Sequence, residues 1–149
     1  MSLAIKTAIK AALAADPTFT AIIPDGRVFA DVNELSRKKT PGAFDANSAI
    51  QCSLLIKQET TSPFGPHDHT GRLFIPLIFY DHEDSGYTDI ETAALRAYQL
   101  FHEAYHPLTG QPVFQMTRVD HLADQEDPAI TNAITVISRY LLYIATPSS

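Results

Sequence analysis

Apolar and polar positions change period several times along the chain, and each change marks an element. Leu3, Ile5, Ala8, Ile9, Ala12 and Leu13 recur at helical spacing until Asp16-Pro17 interrupts them, which predicts an amphipathic helix over residues 2–15. Phe19 to Ile23 reads as a second short helical turn, Pro24-Asp25-Gly26 as a turn, and Arg27 to Ala30 as a brief strand. Residues 31–48 carry no period and read as a long irregular loop, a kind of segment that tends to be functional or mobile, and this one is expected to order on assembly.

Two alternating runs follow, Ile50 to Thr60 and Arg72 to His82, separated by the polar linker Thr61 to Gly71. In the first, Ile50, Cys52, Leu54 and Ile56 share a face opposite Gln51, Ser53, Lys57 and Glu59, the pattern of a half-buried strand. In the second, Leu73, Ile75, Leu77 and Phe79 share one face. Phe74, Ile78 and Tyr80 make the other face apolar too, so a helix or a neighbouring subunit must cover it. Pro76 lies inside this run and cannot donate a ladder hydrogen bond, which predicts an edge strand or a bulge. Long strands with a wide loop between them can extend a sheet across a subunit boundary.

A second helix is predicted over Asp89 to Tyr105, with Asp89 as its cap, Ile90, Ala94, Ala97, Phe101 and Ala104 as its apolar stripe, and Pro107 and Gly110 as its stop. Val113 to Leu122 and Ile130 to Ala145 read as two further strands around the acidic turn Asp124 to Pro128. The order implies one α+β domain over residues 1–149, an antiparallel or mixed sheet of four to five strands with two helices packed on one face.

Composition narrows the function. A formal net charge of −6 and a pI near 5.4 leave no basic footprint for gripping phosphates, and the one basic run is Arg37-Lys38-Lys39. An acidic protein can still stand beside DNA that must slide past without sticking. Cys52 is the single cysteine, which excludes an intramolecular disulfide and a multi-thiolate zinc site, and its place in an alternating strand reads as a buried structural thiol. The first ten residues interleave lysine with apolar positions, unlike a secretion signal, and the longest apolar run, Tyr140 to Ala145, is far shorter than the roughly 20 residues that span a bilayer. No membrane contact is expected.

His102-Glu103-Ala104-Tyr105-His106 matches the His-Glu-x-x-His pattern of zinc hydrolases, in which two imidazoles one helical turn apart bind the metal. On the predicted helix, however, both histidines face solvent, away from the apolar stripe, and Pro107 pushes His106 out of helical geometry. Solvated histidines near a helix C-terminus are the simpler reading, with a small zinc hydrolase as the outside alternative. His67-Asp68-His69 reads as a polar loop rather than a metal site, and Asp81, Glu83 and Asp84 lack the spacing of a calcium loop. No phosphate loop, dinucleotide fingerprint or serine-nucleophile elbow is present. No catalytic, cofactor or metal residue is therefore assigned. The interaction candidates are Arg37, Lys38 and Lys39 in the first loop, Phe64, His67, Asp68 and His69 in the second, and Pro76 in the strand.

The opening helix ending in Ala14-Ala15-Asp16-Pro17-Thr18-Phe19, the early Gly26-Arg27-Val28-Phe29, and Leu73 to Asp81 before Gly86-Tyr87-Thr88-Asp89-Ile90-Glu91 form an ordered series. With Val113 to Val119 and the closing strand Ala133 to Ile144, this order resembles the tail-completion or tail-terminator proteins of long-tailed bacteriophages. The resemblance covers nearly the whole chain. It implies a ring, usually hexameric, at the head-proximal end of the tail that stops tail-tube polymerisation and presents the surface on which the filled head docks. Its implied partners are further copies of the chain, the tail-tube protein and a head-completion or connector protein, with DNA passing through the lumen unbound. The implied location is the head–tail junction of a virion assembled in a bacterial cytoplasm. A related connector or neck protein is the alternative. The long histidine-bearing linker 61–71 and Pro76 depart from the family pattern.

Overall fold

The computed structural model describes residues 2–58, 62–63, 70–125, 130 and 132–145. The first helix, α1 (Ser2–Ala14), buries Ile5, Ile9 and Leu13, one residue per turn on a single face. Asp16 ends it and starts the next element. Its Oδ2 accepts the Phe19 N–H at 2.9 Å, capping the one-turn helix α2 (Pro17–Thr20), whose first position is a proline that needs no donor. Phe19 and Ile23 are driven into the core beneath.

A short strand, β1 (Val28–Phe29), pairs in parallel with β2 (Ser53–Ile56) in the register Val28↔Leu54. A two-residue strand, β3 (Ser62–Pro63), then pairs with the start of the long β4 (Thr70–His82). After α3 (Thr88–Phe101) come the two-residue β5 (Ala104–Tyr105), β6 (Val113–Gln125) and β7 (Ala133–Ala145). The strands form one seven-stranded sheet in the order β1-β2-β4-β7-β6-β5, with β3 off this path against β4. All pairs but β1·β2 are antiparallel. The sheet is therefore mixed and larger than the four to five strands expected: β1 falls within the brief strand read at Arg27 to Ala30, while β3 and β5, each two residues long, are too short to leave a period in the sequence.

The alternation in β4 sets the two layers. Leu73, Ile75, Leu77 and Phe79 join Leu54, Ile56, Val136, Tyr140 and Leu142 on the face covered by the helices. There α3 contributes Ile90, Ala93, Ala94, Ala97 and Phe101, and its three alanines let the helix lie close to the strands. The bidentate pair of Arg96 with Asp16, at 2.8 and 2.7 Å, ties α3 to the start of α2. Helix α3 starts one residue before Asp89 and stops at Phe101, four residues short of the expected end. His102 turns extended and Glu103 takes a left-handed φ of 56°, so Ala104 belongs to a strand and not to the helical stripe.

The opposite face has a smaller core. Leu35, Ala43 and Ile50 from the stretch between β1 and β2 pack on Leu55, Tyr80, Ile130 and Ala133. Residues 31–48 were expected to lack a core role; instead they form the crossover that a parallel pair requires, a position usually taken by a helix. Side-chain turns hold the segment. Thr40 Oγ1 accepts the Ser36 N–H, Asp45 Oδ1 accepts the N–H groups of Asn47 and Ala49, and Arg37 donates to Ser48 O. This layer also buries Ser53, which was expected on a polar face.

Pro76 is neither at a sheet edge nor in a bulge. It pairs with Arg139 inside the unbroken β4·β7 ladder. Its carbonyl accepts the Lys57 N–H at 3.1 Å, so its polar edge points toward β2 just past that strand's last pair, Ile56↔Leu77. The missing donor thus falls where no ladder partner needs it.

Candidate assembly surfaces

The His-Glu-x-x-His segment has no helix to stand on. His102 and His106 lie on either side of β5, and both Glu103 and His106 hold left-handed φ values of 56° and 49°. The one-turn spacing needed for two zinc ligands does not exist. His102 is partly buried rather than solvated: its Nδ1 accepts the Arg118 N–H at 3.0 Å and its ring stacks on Tyr98 at 4.4 Å. With Nδ1 accepting, Nε2 is the ring nitrogen left to donate. Among the described residues no group of three or more His, Cys, Asp or Glu could hold a metal ion.

The basic run of the crossover is only partly available to a partner. Arg37 is committed to Ser48 O, with its guanidinium 4.9 Å from the centre of the Phe44 ring. Lys39 pairs with Glu34 at 2.9 Å, and Lys38 is exposed. Phe64, His67, Asp68 and His69 lie outside the described residues. Pro76 is buried and lines a groove of about 360 Å³ with Ile78, Ile137 and Leu122, flanked by Lys57, Asp120 and Arg139.

The outer edge of β6 was not legible in the sequence. Strand β5 covers only Gln115 and Met116, so among the described residues 117–125 have no strand on their outer side. The β6·β7 register also shifts between Val113 and Gln115 and again between Arg118 and Asp120. Phe114 and Val119, the residues skipped, are 50% and 43% exposed. Tyr105 on β5, 65% exposed, meets Phe114 edge to face at 5.6 Å, and His106 meets the same ring at 5.7 Å. Bulges ordinarily blunt an edge against pairing, yet the residues these two shifts turn outward are apolar. The signal in the sequence is the interrupted alternation from Val113-Phe114 through Val119 to Leu122, which fits no single face.

Cys52, Asp16 and His121 serve the fold. Burial pushes the Cys52 thiol, just ahead of β2, up to about 12, so it stays protonated and unreactive. Hydrogen bonding to Arg96 holds the Asp16 carboxyl below the ordinary aspartate value. His121 bridges the layers, with Nδ1 2.8 Å from Ser138 Oγ and Nε2 3.3 Å from Glu91 Oε2. This trio has the composition of a hydrolytic triad, but Ser138 is fully buried and cannot meet a substrate. No described helix is long and apolar enough to cross a membrane.

No family model matches the sequence, and no curated protein matches it. The architecture does have a solved counterpart. It shares its fold with a chain of a virion. That structure is the virion of a native gene transfer agent particle, matched at a TM-score of 0.70 and 10% sequence identity over 95% of this chain and 94% of the other. The match covers nearly the whole of both chains, and at that identity it establishes the architecture alone.

Proposed function

We propose that this chain is a structural virion protein that forms a ring at the head-proximal end of a phage tail, stops tail-tube polymerisation and offers the surface on which the head docks. The full-length fold likeness to a chain of a phage-like particle carries the reading. The net charge of −6 suits a wall past which DNA slides, and the open edge of β6 with Tyr105, Phe114 and Val119 suits a contact between unlike faces of successive copies. Arg37, Lys38 and Lys39, the linker residues Phe64, His67, Asp68 and His69, and the Pro76 groove are proposed as further contacts with neighbouring copies, the tail-tube protein or the head-completion protein.

Native mass measurement with electron imaging tests the ring. A species near six protomers that restores head joining to tails lacking the protein supports the proposal. A monomer at all concentrations that leaves tails of normal length and competent for joining overturns it. Rings that bind heads while tail length stays unregulated would instead favour a connector or neck protein. Deleting residues 62–70 checks the linker, and unchanged rings and joining would remove it from the contact set.

A further inference from the structure

At the end of the sheet where β4 runs out, between the crossover and the start of α3, lies a pocket of about 560 Å³. That volume is in the range of ordinary ligand sites. Four carboxylates line it, Asp45, Asp81, Asp84 and Asp89, against one cation, Arg27. Arg27 is already engaged, donating to Cys52 O at 2.7 Å and to Gln51 Oε1 at 3.3 Å.

Asp81 is the unusual member. It is 3% exposed, its Oδ1 accepts the His82 N–H at 2.8 Å, and its Oδ2 is buried with no hydrogen-bond partner. A buried carboxylate oxygen without a donor costs free energy that native proteins ordinarily recover through a cation or a hydrogen bond. Burial raises the Asp81 carboxyl above the ordinary value against the opposing His82 hydrogen bond, and nearby Asp89 raises it further. No lysine or arginine elsewhere in the chain is left to supply the missing donor. All eleven Lys and Arg residues of this sequence lie among the described residues, and of these Arg27 alone lines the pocket.

A bare metal ion fits poorly, because the carboxylates do not converge as ligands. A guanidinium or ammonium group on a flexible stem fits better: it brings several donors, reaches into a cavity and needs no closed coordination sphere. We propose that this pocket receives an arginine or lysine side chain from a neighbouring protein of the assembled particle, its charged head closing on Asp81 Oδ2 and the rim carboxylates Asp84 and Asp89. The inference rests on the structural-virion reading, and it makes the pocket a socket in which an incoming chain completes a buried polar site.

Amide NMR of the isolated chain tests the socket, with Nα-acetyl-arginine amide as probe at fixed ionic strength and with calcium and magnesium titrated separately. The arginine probe should shift the His82, Asp84 and Asp89 amides. Asp81→Asn should weaken that response at least ten-fold, as should the rim double variant Asp84→Asn/Asp89→Asn, which leaves the buried position intact if Asp81→Asn fails to fold. Glu34→Gln, an acid outside the pocket, should leave it unchanged. Shifts no larger than those from sodium chloride, or tighter binding of either divalent ion at the same amides, overturn the proposal. The second arm measures incorporation into particles. A folded Asp81→Asn chain should be incorporated at least ten-fold less than wild type, and equal incorporation overturns the role of the partner side chain. If wild-type chain is itself absent from particles, the virion reading fails; the partner side chain proposed here then fails with it, even where the probe binds.

Discussion

Strand β7 has two long neighbours, and they are built differently. Against β4 it pairs from Thr70↔Ala145 to His82↔Ala133 without a shift, while against β6 the register breaks at three places. Strand β4 lies between layers, helices on one face and the crossover on part of the other, and a one-residue slip would exchange its two sets of side chains. Strand β6 has a neighbour on its outer side only at Gln115 and Met116, among the described residues. It can take up extra residues, and the shifts turn Phe114 and Val119 outward. Burial on both faces fixes register, and an open edge leaves room for a chain to display side chains that serve another molecule.

The largest expected effect comes from striking the fixed ladder. Phe79 is fully buried in β4, and Phe79→Ala should cost about 3–5 kcal/mol in a denaturant titration. A loss under about 1 kcal/mol would mean that β4 is no more constrained than β6. Next is the clamp on the helical layer that covers both ladders. Asp16→Ala removes the cap of α2 and the carboxylate that Arg96 grips, at about 1–2 kcal/mol for the cap alone. The native Asp16 carboxyl is held below its unfolded value near 3.9, so its contribution is complete above about pH 4 and is lost as pH falls through the depressed native value. Melting curves of wild type and Asp16→Ala should therefore converge in acid, and parallel curves down to pH 2 would disprove the linkage.

Tyr140 stands between the two ladders, opposite Ile75 on one side and Arg118 on the other. Its hydroxyl is buried with no hydrogen-bond partner, and its ring meets Phe101 edge to face at 6.2 Å. Tyr140→Phe should raise stability by about 1 kcal/mol, since it removes an unsatisfied polar atom and keeps the packing. A loss of similar size would reveal a partner for that oxygen. The smallest folding effect is expected at the shifted positions of β6. Phe114→Ser and Val119→Ser should each change stability by less than about 0.5 kcal/mol while reducing the native mass of the assembled species. Large destabilisation with unchanged mass would make them core residues and erase the contrast with β4.

This contrast also separates what the sequence reveals from what it hides. The first helix and the spans of β4 and β7 were legible to within two or three residues, because their side chains repeat at the period of the element. The end of α3 was not. The chain leaves the helix through Glu103 in a left-handed conformation, a role usually given to glycine, so the stop was sought at Pro107 and Gly110. The core role of the crossover was hidden for another reason. Leu35 and Ala43 are spaced by the path of a loop over a sheet, and no period records that path, while Ile50 packs with them and not with Cys52, Leu54 and Ile56 as its alternation suggested. The β6 edge left only a broken alternation, and the carboxylate pocket joins residues from the crossover, β4 and the start of α3, which only the folded chain brings together.

The parallel pairing of β1 with β2 has a consequence for how the polypeptide can be divided. The 30 residues before the crossover place Ile5, Ile9, Leu13, Phe19, Ile23 and Val28 in the main core and reach the rest of the domain covalently only through the crossover. Arg37, Lys38 and Lys39 stand exposed in its middle. A tryptic nick there would yield two fragments still docked through a shared interior, and a separately made N-terminal piece should reassociate with the remainder in the manner of a split reporter.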